Sequence, residues 1–352
     1  MPKSYSKTKP TSQQVNLRAI DQETARVVAV LDKRGTVVGA GCLIDGKRIL
    51  TCYHVVEAAL GRSPAKNAKI LVKLMGVSGQ PEISTRIEKL GKYASKRHSV
   101  EDLALLKFGR LRGISEAEFA TPLRHGGKRY SVLGFPDSDL QGRNASGVLH
   151  AANAAGLVQM DGNSALFVKG GFSGAPVWSS DLRAFVGMVV SELSNTGVAW
   201  CIPSRVLCAF HPNLPVRFRI PLADRPEIHD RSEDDPNVQL FGKLADNGQR
   251  KLEGRAVWNE EGGYYDVKVI YKRISGAPPL RGKYVTFITY PDFLEDDVDA
   301  YELFSEIEDG KAWTKIYPED DLFAIAAIGD GGDTALTLDL FEVEEEPEDD
   351  DD

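Results

Sequence analysis

The chain's apolar residues come in short runs cut by Gly, Asp, Asn and Pro, and this pattern constrains its fold more than anything else in the sequence. Residues 25–31, 36–44, 48–52, 69–75, 83–90, 103–108, 130–135, 147–151, 165–168, 184–190 and 198–202 all read as strands. Turn chemistry at Asp32-Lys-Arg-Gly35 and at Asp45-Gly46 separates the first of them, and the second turn predicts a hairpin. Helical signal is confined to about one turn at Tyr53-His54-Val55-Val56-Glu57-Ala58 and to a short closing helix over 204–210. Many short strands with little helix predict an all-β barrel or a pair of barrels.

A polar, proline-containing stretch without periodicity follows at 223–237 and reads as a linker. Beyond it a second β pattern runs through 249–258, 264–273, 284–290, 314–317, 322–328 and 335–341. Gly262-Gly263 and Asp330-Gly331-Gly332 supply hairpin turns. The expected organisation is a polar leader at 1–15, a first domain at 16–222, the linker, a β-sandwich at 238–343 and an acidic tail at 344–352. The formal charge of −8 belongs to that tail: nine of the last eleven residues are acidic, and without them 42 acids face 43 bases. A near-neutral body predicts no nucleic-acid partner. No apolar run reaches the length of a membrane span, and the leader lacks the apolar core of a secretory signal, so the expected location is cytoplasmic. Cys42, Cys52, Cys201 and Cys208 show no metal-type spacing; free thiols are expected, with a Cys42–Cys52 bridge as the alternative.

Chemistry concentrates in Gly170-Gly171-Phe172-Ser173-Gly174-Ala175-Pro176-Val177. A serine hydroxyl becomes a good nucleophile only when a neighbouring base takes its proton, and the attacked carbonyl needs amide donors for its developing charge. Gly171 carries no side chain, so its amide and that of Ser173 are free to converge on one point, an oxyanion hole. Upstream, His54 follows an apolar strand, and Asp102 opens Asp-Leu-Ala-Leu-Leu; a carboxylate there would orient the imidazole, with Glu101 as the rival. The order His…Asp…Ser differs from the α/β-hydrolase and subtilisin orders.

With those residues in hand, the stretch from about 24 to 212 resembles the trypsin/chymotrypsin-like serine proteases, notably the bacterial V8-like branch. The resemblance is carried by Gly39-Ala-Gly-Cys-Leu-Ile44, Ile49-Leu-Thr-Cys-Tyr-His-Val-Val56, Asp102-Leu-Ala-Leu-Leu106, Gly134-Phe-Pro136, Gly147-Val148 and Gly171-Phe-Ser-Gly-Ala-Pro-Val177. It implies a chymotrypsin-like double β-barrel, Ser173 as nucleophile, His54 as base and then acid, Asp102 as orienter, and no cofactor or metal. Digestive members place Asp directly before the nucleophile to hold a new N-terminus; here that residue is Phe172, so activation by N-terminal cleavage is not expected. The specificity pocket is expected from Phe167, Val168, Ser191, Glu192 and Trp200. Phe167 argues against Lys or Arg substrates and for small or apolar ones, while Trp200 is large enough to block the pocket.

Residues 238–343 resemble the prokaryotic YEATS-like domain through Tyr265-Asp-Val-Lys-Val-Ile270, Val285-Thr-Phe-Ile-Thr-Tyr-Pro-Asp-Phe293 and the segment Phe323 to Leu340. That likeness implies an immunoglobulin-like sandwich acting as a regulatory or targeting module with its own ligand or protein partner. Trp258, Tyr290, Phe293 and Trp313 are the candidates for an aromatic cage, with ordinary core packing as the plainer role. Bacterial proteins joining the two domain types suggest a part in defence. The expected activity is cleavage of protein or peptide substrates. The rival expectations are a protease-like binding scaffold with a closed site and an ester-cleaving hydrolase.

Overall fold

The computed structural model describes residues 22–77, 79–92, 99–162, 167–193, 196–220, 224, 235–289, 302–318, 322–340 and 343. The expected leader and tail lie outside them, as do Tyr290 and Phe293. Six strands form the first closed barrel: β1 (Val27–Leu31), β2 (Val37–Leu43), β3 (Arg48–Thr51), β4 (Lys69–Leu74), β5 (Glu82–Leu90) and β6 (Ala104–Lys107), in the order β1-β2-β3-β6-β5-β4. The next eight are β7 (Phe119–Pro122), β8 (Arg129–Gly134), β9 (Arg143–Ala152), β10 (Val158–Gly162), β11 (Pro176–Ser179), β12 (Ala184–Leu193), β13 (Val198–Pro203) and β14 (Val216–Arg219). Within them β11-β8-β9-β10-β13-β12 closes on itself because β11 also pairs with β12, and this ring is the second barrel. The result is the chymotrypsin-like double barrel.

Strand β1 is buried at all five positions because both of its faces are covered. Val28 and Val30 join one apolar cluster, while Val27, Ala29 and Leu31 join a second cluster made largely of the second barrel. A strand enclosed on both sides carries an unbroken apolar run instead of an alternating one. The two barrels thus share cores across their seam, which makes that seam a rigid place for a site.

The remaining strands are β15 (Arg250–Asn259), β16 (Tyr264–Arg273), β17 (Tyr284–Ile288), β18 (Glu302–Glu306), β19 (Lys311–Ile316), β20 (Ala324–Gly329) and β21 (Thr334–Asp339). They make one sheet of order β15-β16-β19 and another of order β18-β17-β20-β21, which sandwich a core including Tyr271, Phe287 and Ile325. Both Gly-rich turns do close hairpins, β15–β16 and β20–β21.

Several expectations need amendment. The strand expected at 165–168 is absent where it is described: Phe167 and Val168 lie in an irregular segment. The pattern did not reveal β7, β10, β14 or β18. Strand β7 ends in proline and β14 reads Val-Arg-Phe-Arg; they run parallel to each other at the border with the sandwich, where tertiary packing buries what alternation does not mark. The helix expected at 53–58 runs two turns, Tyr53–Leu60, instead of one. Asp235 and Asn237, expected in the linker, belong to the sandwich: Asp235 caps the helix Pro236–Phe241, and the buried Asn237 amide donates to the carbonyls of Ile288 and Ala324.

The sandwich docks on the second barrel through buried contacts. The Phe218 amide donates to Thr286 Oγ1, Thr121 Oγ1 donates to the Gly331 carbonyl at 2.8 Å, and Phe218, Ile220, Ile288, Ala326 and Ile328 form a small apolar cluster across the border.

Candidate active site

The helix Tyr53–Leu60 grows directly out of β3, with Val55, Val56, Ala59 and Leu60 buried beneath it. Its first amides need acceptors, and Cys52 at the N-cap offers no side-chain oxygen. Asp102 fills that gap from the start of the β6 segment: its Oδ1 accepts the His54 backbone N–H at 3.0 Å. The other oxygen, Oδ2, meets His54 Nδ1 at 2.6 Å. An ionised carboxylate only accepts, so Nδ1 carries the proton and Nε2 keeps its lone pair. One buried carboxylate therefore caps the helix and fixes the imidazole tautomer together. Asp102 is fully buried while Glu101 is exposed, and the structure joins His54 to the former. The His54 side chain remains 30% accessible, open on the side away from Asp102.

The serine loop is clamped from both barrels. The Ser173 carbonyl accepts from the Ala40 amide at 2.8 Å, and Gly174 N–H donates to the Val189 carbonyl at 2.8 Å. Thr51 Oγ1 donates to the Ala40 carbonyl, so β2 and the strand carrying the histidine helix are tied at the same residue. A Cβ on Gly39 would lie 2.8 Å from the Val55 side chain and 3.1 Å from the Ser173 carbonyl, which measures how closely the helix and the loop approach. Phe172 is 1% exposed and packs against Gly134, where a Cβ would sit 2.3 Å from its ring. Gly171 has φ +95°, and a Cβ there would collide with the Phe135 carbonyl at 2.3 Å. Only glycine holds this geometry without strain. Among the described residues neither the Gly171 nor the Ser173 amide spends its hydrogen on an acceptor. Ser173 Oγ is turned to the Val190 carbonyl at 3.4 Å, with no hydrogen bond to His54 in this resting arrangement.

The expected pocket residues separate on the structure. Phe167 is half-buried beside Gly162 and Gly197, close enough that a Cβ on Gly162 would meet its Cβ at 2.4 Å. Val168 belongs to the core of the second barrel. Ser191 pairs with Trp200 and Glu192 with Ala199 across β12–β13. Trp200 is half-buried and lies against the shared core, and the buried Ser191 hydroxyl has no partner among the described residues.

One neighbour was not anticipated from the sequence. Cys52 Sγ, His54 and Asp102 offer donor atoms within 4.8 Å of one another, a metal-like triangle. The chemistry does not fit a metal: both Asp102 oxygens already accept from His54, and burial, with Asp102 adding to it, pushes the Cys52 thiol well above its ordinary pKa. The protonated thiol instead donates to the Val189 carbonyl at 3.3 Å, bracing β12 beside the site. All four cysteines are free and buried, so the Cys42–Cys52 bridge does not form. Burial pushes Cys42, Cys201 and Cys208 each up to about 12.

Residues 34–188 match the family model for the trypsin-like peptidase domain. The chain is also similar to the peroxisomal leader peptide-processing protease of Mus musculus, at 28% identity over 180 residues, 49% of this chain. The chain spans 29% of that protein's length. A serine endoprotease from Yersinia pestis aligns with a TM-score of 0.40 and 20% identity, covering 53% of this chain and 61% of that one. The stretch that matches the family model contains His54, Asp102 and Ser173, which the structure places at the seam of the two barrels. Among the described residues no helix is long and apolar enough to cross a membrane.

Proposed function

We propose that the protein is a serine endopeptidase in which Ser173 attacks the scissile carbonyl of a protein or peptide. The observation that carries the reading is the 2.6 Å bond between His54 Nδ1 and Asp102 Oδ2, with the Ser173 loop and its two unspent amides clamped beside it. His54 Nε2 takes the Ser173 proton, Asp102 steadies the imidazolium, and the amides of Gly171 and Ser173 receive the oxyanion. The proton then passes to the leaving amine, and water releases the acyl group by the same route. For the first step the Ser173 hydroxyl swings from the Val190 carbonyl to Nε2, a side-chain rotation. Substrate-free geometry of this kind tightens when substrate arrives.

Three finer points belong to the same proposal. The half-buried Phe167 favours small or apolar side chains over Lys or Arg in the pocket, alongside Ser191, Glu192 and Trp200. Phe172, an apolar plug where digestive relatives carry a carboxylate, leaves the loop without a cleavage-dependent latch. The sandwich is read as a regulatory or targeting module, in keeping with its YEATS-like sequence and its docking on β7 and β14, and the four unbridged thiols are in keeping with a reducing compartment. Trp258 and Trp313 lie on opposite faces of the β15-β16-β19 sheet by register, so these two do not make one cage.

Labelling with an active-site-directed fluorophosphonate is expected to mark Ser173 and to vanish in Ser173→Ala at unchanged melting temperature. Undiminished labelling of Ser173→Ala would overturn the assignment. The resting Ser173–Val190 bond favours a second reading, a protease-like scaffold with a closed site that works through recognition by the sandwich. Folded wild-type protein that resists the probe throughout substrate profiling, while the sandwich still takes up a ligand, would select that reading.

A further inference from the structure

The three-stranded sheet turns one face to the sandwich core and the other to solvent, and the register decides what the outer face presents. Across the three strands Lys251 lies opposite Lys272, which lies opposite Lys311. Two residues along, the row is Glu253, Ile270 and Trp313. The next row is Arg255, Lys268 and Lys315. Six cations thus stand in two rows, and two acids of the same face, Glu253 and Asp266, pair with three of them. Glu253 takes Lys251 at 2.9 Å together with Lys272, and Asp266 takes Lys315 at 3.4 Å. Like charges directly opposite on neighbouring strands repel, so such a face is stabilised by an anion brought from outside.

The aromatic residues sit in the same pattern. Along β19 and its continuation the outer positions read Lys311, Trp313, Lys315 and Tyr317, and all four are exposed. Trp313 is 48% accessible and Tyr317 46%, high values for side chains of this size. Lys268 Nζ stands 5.2 Å from the Trp313 ring centre, and Tyr264 meets Tyr317 edge-on at 5.5 Å, so both rings are held upright from the sheet. Alternate residues of a strand are about 7 Å apart, and neighbouring strands lie about 4.8 Å apart. That grid sets aromatic platforms between cations at intervals that suit an unstacked polynucleotide, whose bases stack on rings while its phosphates meet the charges.

We propose that this outer face binds single-stranded nucleic acid, with bases on Trp313 and Tyr317 and phosphates on Lys268, Lys311 and Lys315. An acidic peptide would satisfy the cations and leave the two aromatic rings without a role, which is why the nucleic acid is preferred. The contacts to the second barrel run through other parts of the sandwich, β17 and the turn at Gly331, so binding here leaves the trypsin-like domain attached.

Fluorescence anisotropy of a labelled oligothymidylate with the full chain tests this between 50 and 200 mM salt. Binding is expected with a log–log salt slope of about −2 to −4, the value for three to six phosphates on a single strand. Trp313→Ala and Tyr317→Ala are each expected to weaken it by about tenfold, the usual worth of one stacked base. Lys268→Glu with Lys315→Glu should weaken it further and flatten the slope, while fluorophosphonate labelling of Ser173 stays as in wild type and reports intact folding. No binding at micromolar protein in 50 mM salt would overturn the proposal. So would affinity indifferent to both aromatic substitutions, equal affinity for duplex, or equal affinity for a peptide of sequence 344–352, each of which makes the face a general anion surface.

Discussion

Two buried aspartates, one at each seam of the molecule, do opposite things with the same chemistry. Asp102, fully buried at the seam of the barrels, holds a titratable ring and leaves its far nitrogen open to solvent. Asp330, 2% exposed where the sandwich meets the second barrel, holds a guanidinium that never gives up its proton. Arg250 grips it with Nε at 2.8 Å and Nη2 at 3.0 Å, the Arg281 amide and Thr334 hydroxyl complete its shell, and its own backbone sits at φ +55°. Burial alone would raise the Asp330 pKa, yet the hydrogen bonds from Arg250 and the others hold it below the ordinary value. A buried carboxylate with a weakly basic, half-open partner is arranged for proton transfer. The same group with a permanent cation and every lone pair occupied is a latch.

Exchanging each acid for its amide separates these roles, and the largest effect is expected at the barrel seam. Asp102→Asn should lower kcat by about 10⁴-fold, the cost of presenting the wrong tautomer in a site of this kind. Its melting temperature should move little compared with Asp330→Asn. Gly171→Ala comes next: moving the loop off the Phe135 carbonyl should remove an oxyanion donor and cost about 10²–10³ in kcat with KM little changed. Steady-state kinetics on one peptide substrate check both, and near-normal kcat in either would break the comparison.

Asp330→Asn should act on stability instead, because it leaves Arg250 buried without its counter-charge; breaking such a pair costs about 3–5 kcal/mol. Denaturant unfolding measures this loss. Loss of activity at low temperature with unchanged stability would show the second seam to be part of the catalytic apparatus after all. The smallest effect concerns His125, near that seam, whose pKa is pushed down to about 4 by burial and by Arg205. The unfolded chain binds a proton near pH 6.5 while the folded chain resists it, so this contribution to stability is intact above pH 6.5 and is lost as pH falls toward 4. His125→Gln should flatten that part of the stability–pH curve, and an unchanged curve would remove His125 from the account.

The site was readable because its chemistry needs particular residue types in order. His54, Asp102 and Ser173 stand out, and Gly171 announces a backbone that only glycine adopts. What escaped notice has no side-chain signature. The Val189 and Val190 carbonyls that meet Cys52 and Ser173 belong to an ordinary apolar strand, and Ala40 matters through its amide and carbonyl alone. Asp330 looked like a turn residue and is one, but the partner that makes it a latch lies 80 positions earlier. His150, with no evident partner in the sequence, faces Asp161 at 3.0 Å across neighbouring strands.

By itself the sequence determined the all-β class and the hairpin turns and singled out the Ser173 loop and His54 as candidates, since these rest on local periodicity, on glycine backbones and on residue types that chemistry cannot replace. Only the tertiary structure decided which strands close each barrel, which pocket candidates face the core, and how charge is distributed. Summed along the chain, the body's charge nearly cancels. Strand register then sets Lys251 beside Lys272 and Lys311, and Arg255 beside Lys268 and Lys315, because pairing between distant segments places side chains on one face with no regard to their order in the chain.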